Sequence, residues 1–289
     1  MTESAAQERI YVLENYLVTF LDVLGQSDKF EQLRLPRTEE EHAAVQEVMR
    51  DTVRFVSDLR ARFGIQFDAF EAGLLKDQPS VKKFHPAFVG LSDSFVTSVP
   101  IRNEDQHLTP NIRMFSALAA ACIVMLTSLA SNHALRGGID IDLATEMAPG
   151  EVYGTALMRA YRLESRVADY PRIMIGEGLW KYLSVGQQVM ENPSTEVGVF
   201  LKDLIQKQMA LITEDSDGKR ILNYLGSGIV SVAKQGQADI LVKPAYQFVL
   251  DEQQRWLLVG DTKETGRYAI LRQYFEERLP LWGLAASPT

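Results

Sequence analysis

Two aspartates stand alone in apolar segments. Asp22 interrupts Tyr16-Leu17-Val18-Thr19-Phe20-Leu21 just before Val23, Leu24 and a glycine turn at Gly25. Asp93 interrupts Phe88-Val89-Gly90-Leu91-Ser92 and is followed by Ser94-Phe95-Val96-Thr97. The β-branched and aromatic content of both runs predicts strands. Burying an unpaired carboxylate there costs on the order of several kcal/mol, so a cation is expected to meet it. One such Asp is most often a turn cap; two of them point to a shared divalent ion. Oxygen ligands without a neighbouring Cys or His suit magnesium or manganese better than zinc, and such ions complete their shell with substrate phosphates. A nucleoside triphosphate is the expected substrate class.

Two further segments supply positive charge. Leu135-Arg136-Gly137-Gly138-Ile139-Asp140-Ile141 looks like a strand start whose glycines permit close backbone approach. Residues 151–164 look like a turn leading into a helix, on which Met158 and Arg162 lie four apart on one face. Taken alone, Arg162 between Arg159 and Arg166 is an ordinary solvated arginine.

In this order, the four segments resemble the class III nucleotidyl cyclase catalytic domain. That family carries Phe-x-Asp-Ile-x-Gly-Phe-Ser/Thr, then Gly-Asp, then Arg-x-Gly-Ile, then Asp-x-x-Gly-x-x-Val-Asn-x-Ala-x-Arg. The matches here are Phe20 to Ser27, Ser92-Asp93, Arg136 to Ile139, and Glu151 to Arg162 with Gly154, Ala160 and Arg162 in register. The resemblance covers roughly residues 15–176, with a long insertion between the first two motifs. It implies an α+β fold with a ferredoxin-like core, a mixed or antiparallel sheet with helices on one face.

The departures are specific. The family's adenine-reading Lys and Asp are replaced by Val89 and Glu151, and its ribose-positioning Asn by Met158. Asp22-Val-Leu-Gly25, Ser92-Asp-Ser94, Leu135 to Ile139, Gly154 to Ser165 and Tyr170-Pro171-Arg172 look like the pyrimidine cyclases of Pycsar antiphage systems. That subgroup makes cyclic UMP or cyclic CMP, which activates a separate effector protein. Glu151 could accept from uracil N3–H or from the cytosine amino group, so hydrogen-bond chemistry leaves the base open, and the resemblance puts UTP slightly ahead of CTP.

The resemblance implies roles residue by residue. Asp22, Asp93 and the Val23 carbonyl would hold two manganese or magnesium ions. Phe20, Gly25, Gln26, Ser27, Val89, Glu151 and Met158 would contact substrate, the backbone amides of the Leu24 to Ser27 turn and of a helix starting near Asp28 taking phosphate oxygens. Arg136 would neutralise the leaving pyrophosphate and Arg162 the α-phosphate in the transition state. In this family the site forms between two catalytic domains, and one domain with no internal repeat is visible here, so a head-to-tail homodimer is expected.

Composition is compatible with this reading. The chain has 289 residues, 46% hydrophobic and 24% charged, enough for a full core. A net charge of −8 argues against nucleic acid as the main partner. A palm-type polymerase, which also uses paired carboxylates, is disfavoured on the same ground; a degenerate, nucleotide-binding regulatory domain is the other alternative, with Met158 in its favour. The one cysteine, Cys122, lies in an apolar run and is expected in the core. His42, His85, His107 and His133 show no metal-ligand spacing.

Residues 114–130 form an apolar run short of the ~20 residues a membrane span needs, and a buried helix opened by Thr109-Pro110 is expected. The first fifteen residues carry charges without an apolar stretch, which predicts a cytoplasmic protein without a signal peptide. Residues 39–63 predict a long amphipathic helix. Asp215-Ser-Asp217-Gly218 predicts a hairpin turn rather than a calcium loop, since Thr213 and Tyr224 stand where ligands are needed. Residues 1–176 are thus expected to form the catalytic core, and residues 177–289 a C-terminal hairpin and helical extension packed on the core or on the dimer partner.

Overall fold

The computed structural model describes residues 12–25, 35–76, 83–101, 108–148, 150–235 and 238–285. Gln26, Ser27 and the helix start expected near Asp28 lie outside the described residues.

The fold is α+β, built on one mixed sheet. Its first half runs β1 (Glu14–Val23), α1 (Glu39–Leu74), β2 (Ala87–Leu91), β3 (Ser94–Pro100), α2 (Leu108–Ala130) and β4 (Leu135–Ala148). β5 (Glu151–Gly154), α3 (Thr155–Arg162), a π turn at Leu163–Val167 and β6 (Ile173–Ile175) follow. The strand order is β2-β3-β1-β4-β6-β8-β7, with β5 paired to the far end of β4. β4 and β6 are parallel; the other pairs are antiparallel.

β1 lies between β3 and β4, and its residues 16–21 are all buried. Its two faces meet different layers, as the period of two requires. Leu17, Leu21 and Val23 join the main core with Phe63 and Phe67 of α1 and most of α2. Tyr16, Val18 and Phe20 face the other way and pack on Ala156 and Ala160 of α3. The expectation of helices on one face is therefore corrected. A strand apolar on both sides demands a cover on both, and α3 provides the second.

Local chemistry explains the principal helices. α1 opens on a capping box: Glu41 N–H donates to Thr38 Oγ1 at 3.2 Å, and the Glu41 carboxylate accepts from Thr38 N–H at 3.3 Å. α2 begins at Leu108, one residue ahead of the Thr109-Pro110 pair, and is buried almost throughout. Among the described residues it is the one helix long and apolar enough to cross a bilayer, yet 94% of that stretch lies inside the protein, as a core helix does. Cys122 sits on it fully buried, and burial pushes its thiol well above the ordinary range.

The described residues between 177 and 285 continue the same sheet and core. α4 (Glu177–Val189) and α5 (Glu196–Ala210) lead into the hairpin of β7 (Ile212–Glu214) and β8 (Arg220–Leu222), and β8 pairs with β6. α6 (Ser227–Gln235), α7 (Val242–Val259) and α8 (Thr262–Glu276) follow. Val249, Leu271 and Phe275 from these last helices share one apolar cluster with Leu17 and Leu21 of β1.

The paired glycines of β4 are needed for packing. A side chain at Gly137 would meet the Phe20 carbonyl oxygen at 2.6 Å, and one at Gly138 the Ala160 carbonyl oxygen at 2.3 Å. Gly138 lets α3 lie directly on the sheet, whereas Gly137 is held bare by β1 itself, between the Phe20 carbonyl and the Leu21 side chain. Gly138→Ala is expected to destabilise the fold by about 1–3 kcal/mol through overpacking against backbone, measured by urea unfolding. Unchanged stability would mean that α3 rides more loosely on β4 than described.

Candidate active site

Asp22 closes β1 on the face covered by α3. Its Cα register partners are Ser94 on β3 and Arg136 on β4, so all three strands converge there. Asp93 sits in the two-residue turn between β2 and β3, and its carbonyl accepts from Val23 N–H at 3.4 Å. The sheet register thus draws the two aspartates together from positions 71 residues apart in the chain. Ser92 holds φ at 56°, the left-handed region that glycine adopts freely. Ser92 adopts this conformation at a cost of about 1 kcal/mol.

Arg136 lies between two carboxylates. Its Nη2 is 3.4 Å from Asp22 Oδ2, and its Nε donates to Glu164 Oε1. Glu164 is 2% exposed and belongs to the π turn that ends α3. Sequence reasoning gave it no role, because a regular helical period after Arg162 carries no mark of a π turn, which shifts the side-chain phase. The available signal was a Glu inside the motif segment itself, beside Leu163.

The electrostatics of this cluster are unbalanced. The Asp22 carboxyl is pushed up from 3.8 to about 7, first by burial, then by the charges of Glu164 and Asp93, with Arg136 pulling the other way. Burial also raises Glu164, against the attraction of Arg136. When protonated, Asp22 can donate to the Glu164 carboxylate. Three acids against one arginine leave a net negative pocket at the strand end, a donor set that suits a hard divalent cation. Among the described residues no three His, Cys, Asp or Glu side chains form a ready-made ligand cage; Asp22 and Asp93 with the Val23 carbonyl would have to share such an ion with substrate oxygens.

The other expected residues divide into two groups. Phe20 lies under α3, its ring 5.4 Å from that of Tyr161, and packs against that helix. Gly25, with φ 79°, turns the chain out of β1 beside Arg136 at the edge of a groove. Val89 is half-buried on β2, paired with Val96. Glu151, Met158 and Arg162 are all exposed on β5 and the outer face of α3. Among the described residues no hydrogen bond or ion pair joins Arg162 to Asp22 or Asp93.

Two conspicuous motifs are structural. Asp140 is 3% exposed and accepts from Leu179 N–H and Ile141 N–H, both at 2.9 Å, capping the start of α4 from the neighbouring strand. Arg172 donates to Asp215 at 2.6 Å and to Asp217 at 2.9 Å, and its guanidinium lies 4.4 Å from the Tyr170 ring centre. The Tyr-Pro-Arg segment thereby clamps the β7–β8 turn, and Asp215 and Asp217 serve that clamp. Lys219 is engaged by Asp217, and Arg220 by Glu177. Among the histidines, His85 pairs with Asp68 at 3.1 Å and His133 stacks on Phe55.

No protein-family model matches the chain, and no curated protein matches it.

Proposed function

We propose that this protein is a nucleotide cyclase of the class III type that converts a pyrimidine nucleoside triphosphate, UTP ahead of CTP, into its 3′,5′-cyclic monophosphate and pyrophosphate. The observation that carries the reading is the clustering of Asp22, Asp93 and Glu164 at the end of β1, where Arg136 pairs with Asp22 and Glu164. The strand order β2-β3-β1-β4, joined through α1 and α2, matches the split β-α-β of a ferredoxin-like core and supports the same reading.

Asp22, Asp93 and the Val23 carbonyl would hold manganese or magnesium, which supplies Lewis acidity at the 3′-hydroxyl and charge neutralisation at the phosphates. Substrate binding requires a rearrangement at Arg136. Its contact with Asp22 is long, so the guanidinium can turn its free donors to the β- and γ-phosphates while Glu164 keeps hold of Nε. The 3′-hydroxyl gives its proton to water as its oxygen bonds to the α-phosphorus, the bond from the α-phosphorus to the bridging oxygen breaks, and pyrophosphate departs with that electron pair. Arg162 would neutralise charge on the α-phosphate, a contact worth on the order of a hundredfold in rate.

Arg162 points outward, so it serves a site on another copy. Leu143, Met147, Tyr153, Met158 and Tyr161 are large apolar side chains left exposed on β4, β5 and α3. A second copy of the chain docked there as a head-to-tail homodimer would cover them and bring Arg162 to the partner's acids. The cyclic product acting on a separate effector in antiphage defence, in the cytoplasm, completes the proposal and rests on the resemblance.

The exposed thioether of Met158 favours a second reading, a nucleotide-binding regulatory domain, because it offers the ribose no amide hydrogen bonds. 3′-Deoxyuridine triphosphate separates the readings. A cyclase is expected to be inhibited by it competitively and to leave it intact. Incorporation into a primer would instead indicate a polymerase. Nucleoside triphosphate binding without pyrophosphate release from UTP or CTP would leave the regulatory domain.

A further inference from the structure

A groove of about 720 Å³ separates the end of the sheet carrying Gly25 and Arg136 from helices α7 and α8. Three arginines line it: Arg136 from β4, Arg255 from α7 and Arg267 from α8. Trp256 lines it too, and its indole N–H is buried with no acceptor among the described residues. The Arg255 guanidinium lies 4.1 Å from the Trp256 ring centre, which fixes its plane against the groove wall.

The helix arginines are positioned and still available. Arg255 donates to Glu252 at 2.9 Å and 2.6 Å, and Arg267 pairs with Glu264, each partner three residues earlier. Such solvent-facing helix pairs are weak. Arg255 commits two of its five N–H donors to Glu252, and Arg267 one to Glu264. Of the other two acids on the groove, Asp261 caps α8 by accepting from Lys263 N–H and Glu264 N–H, both at 3.0 Å, and Asp169 remains. Donors held in place by weakly bound carboxylates, beside the arginine that faces the acid cluster, suit a polyanion leaving that cluster.

We propose that this groove receives inorganic pyrophosphate, so that helices α7 and α8 form a product-binding wall of the active site. The identity of the anion rests on the cyclase reading; the groove's affinity for it does not. Isothermal titration of inorganic pyrophosphate into the metal-free full chain, with tryptophan fluorescence in parallel, tests this. The wild-type protein is expected to bind, Arg255→Ala/Arg267→Ala to bind at least about tenfold more weakly, and Trp256→Phe to lose the fluorescence change while still binding. Glu252→Gln/Glu264→Gln is expected to bind several-fold more tightly, about threefold or more, a gain that no folding defect produces. Absence of wild-type binding, or equal affinity in the double arginine variant, overturns the groove. Pyrophosphate binding as described, without cyclisation of any nucleotide, leaves the groove standing and removes the cyclase reading. Cyclisation with unaltered pyrophosphate affinity in the double arginine variant does the reverse.

Discussion

Asp22→Asn is expected to abolish turnover and, at the same time, to stabilise the metal-free protein at pH 8. The loss of activity, at least about a thousandfold, follows from removing a carboxylate that would hold the catalytic ions. The gain in stability follows from the acid cluster. A group whose folded pKa lies at about 7 against an ordinary 3.8 contributes fully below pH 4, and its contribution is lost as pH rises through 7. Above pH 7 the folded protein therefore carries an unfavourable charge that Asn lacks. Three units would amount to about 4 kcal/mol, and losing the attraction to Arg136 offsets part of it. The expected gain is on the order of 2 kcal/mol at pH 8, shrinking toward zero at pH 4, measured by urea unfolding at both values. Manganese should raise the melting temperature of the wild type and leave that of the variant unchanged. An aspartate that merely capped a turn would show the opposite sign, a loss of stability at pH 8, and that result would overturn the metal-site assignment.

Mixing two inactive variants is expected to restore activity. Arg162→Ala should lose about a hundredfold in kcat; its exposed side chain makes no hydrogen bond or ion pair within its own chain among the described residues, so the loss would come from the partner's site. If the two protomers build each site together, a mixed dimer of Asp22→Asn with Arg162→Ala carries one doubly damaged site and one intact site. Random reassortment then gives about a quarter of wild-type activity. Activity staying at the level of the two separate variants would place Arg162 and Asp22 in the same protomer's site, and the outward face of α3 would need another explanation.

Much of the frame was legible in the sequence, for physical reasons. The apolar runs around Asp22 and Asp93 announced strands, and the register of β1 with β3 and β4 brings the two acids and Arg136 together. The 3.6-residue period of α1, the apolar length of α2 and the turn chemistry of residues 215–218 likewise correspond to observed elements. What escaped depends on tertiary contact. Glu164 enters the cluster through a π turn that no periodicity announces. The need for Gly138 is set by α3, a helix contributed by a later segment, and that for Gly137 by the neighbouring strand β1. β7 and β8 are three residues each, too short to show a period, so their extension of the sheet beyond β6 was hidden. Arg172 and its aspartates looked like separate motifs until the fold joined them.

The most direct measurement is incubation of the purified protein with manganese and each of the four ribonucleoside triphosphates separately, with products resolved by mass. The proposed activity predicts a cyclic mononucleotide and pyrophosphate from one pyrimidine, UTP ahead of CTP, and none of that product with Asp22→Asn. No cyclic product from any of the four, while nucleotide still binds, would contradict it.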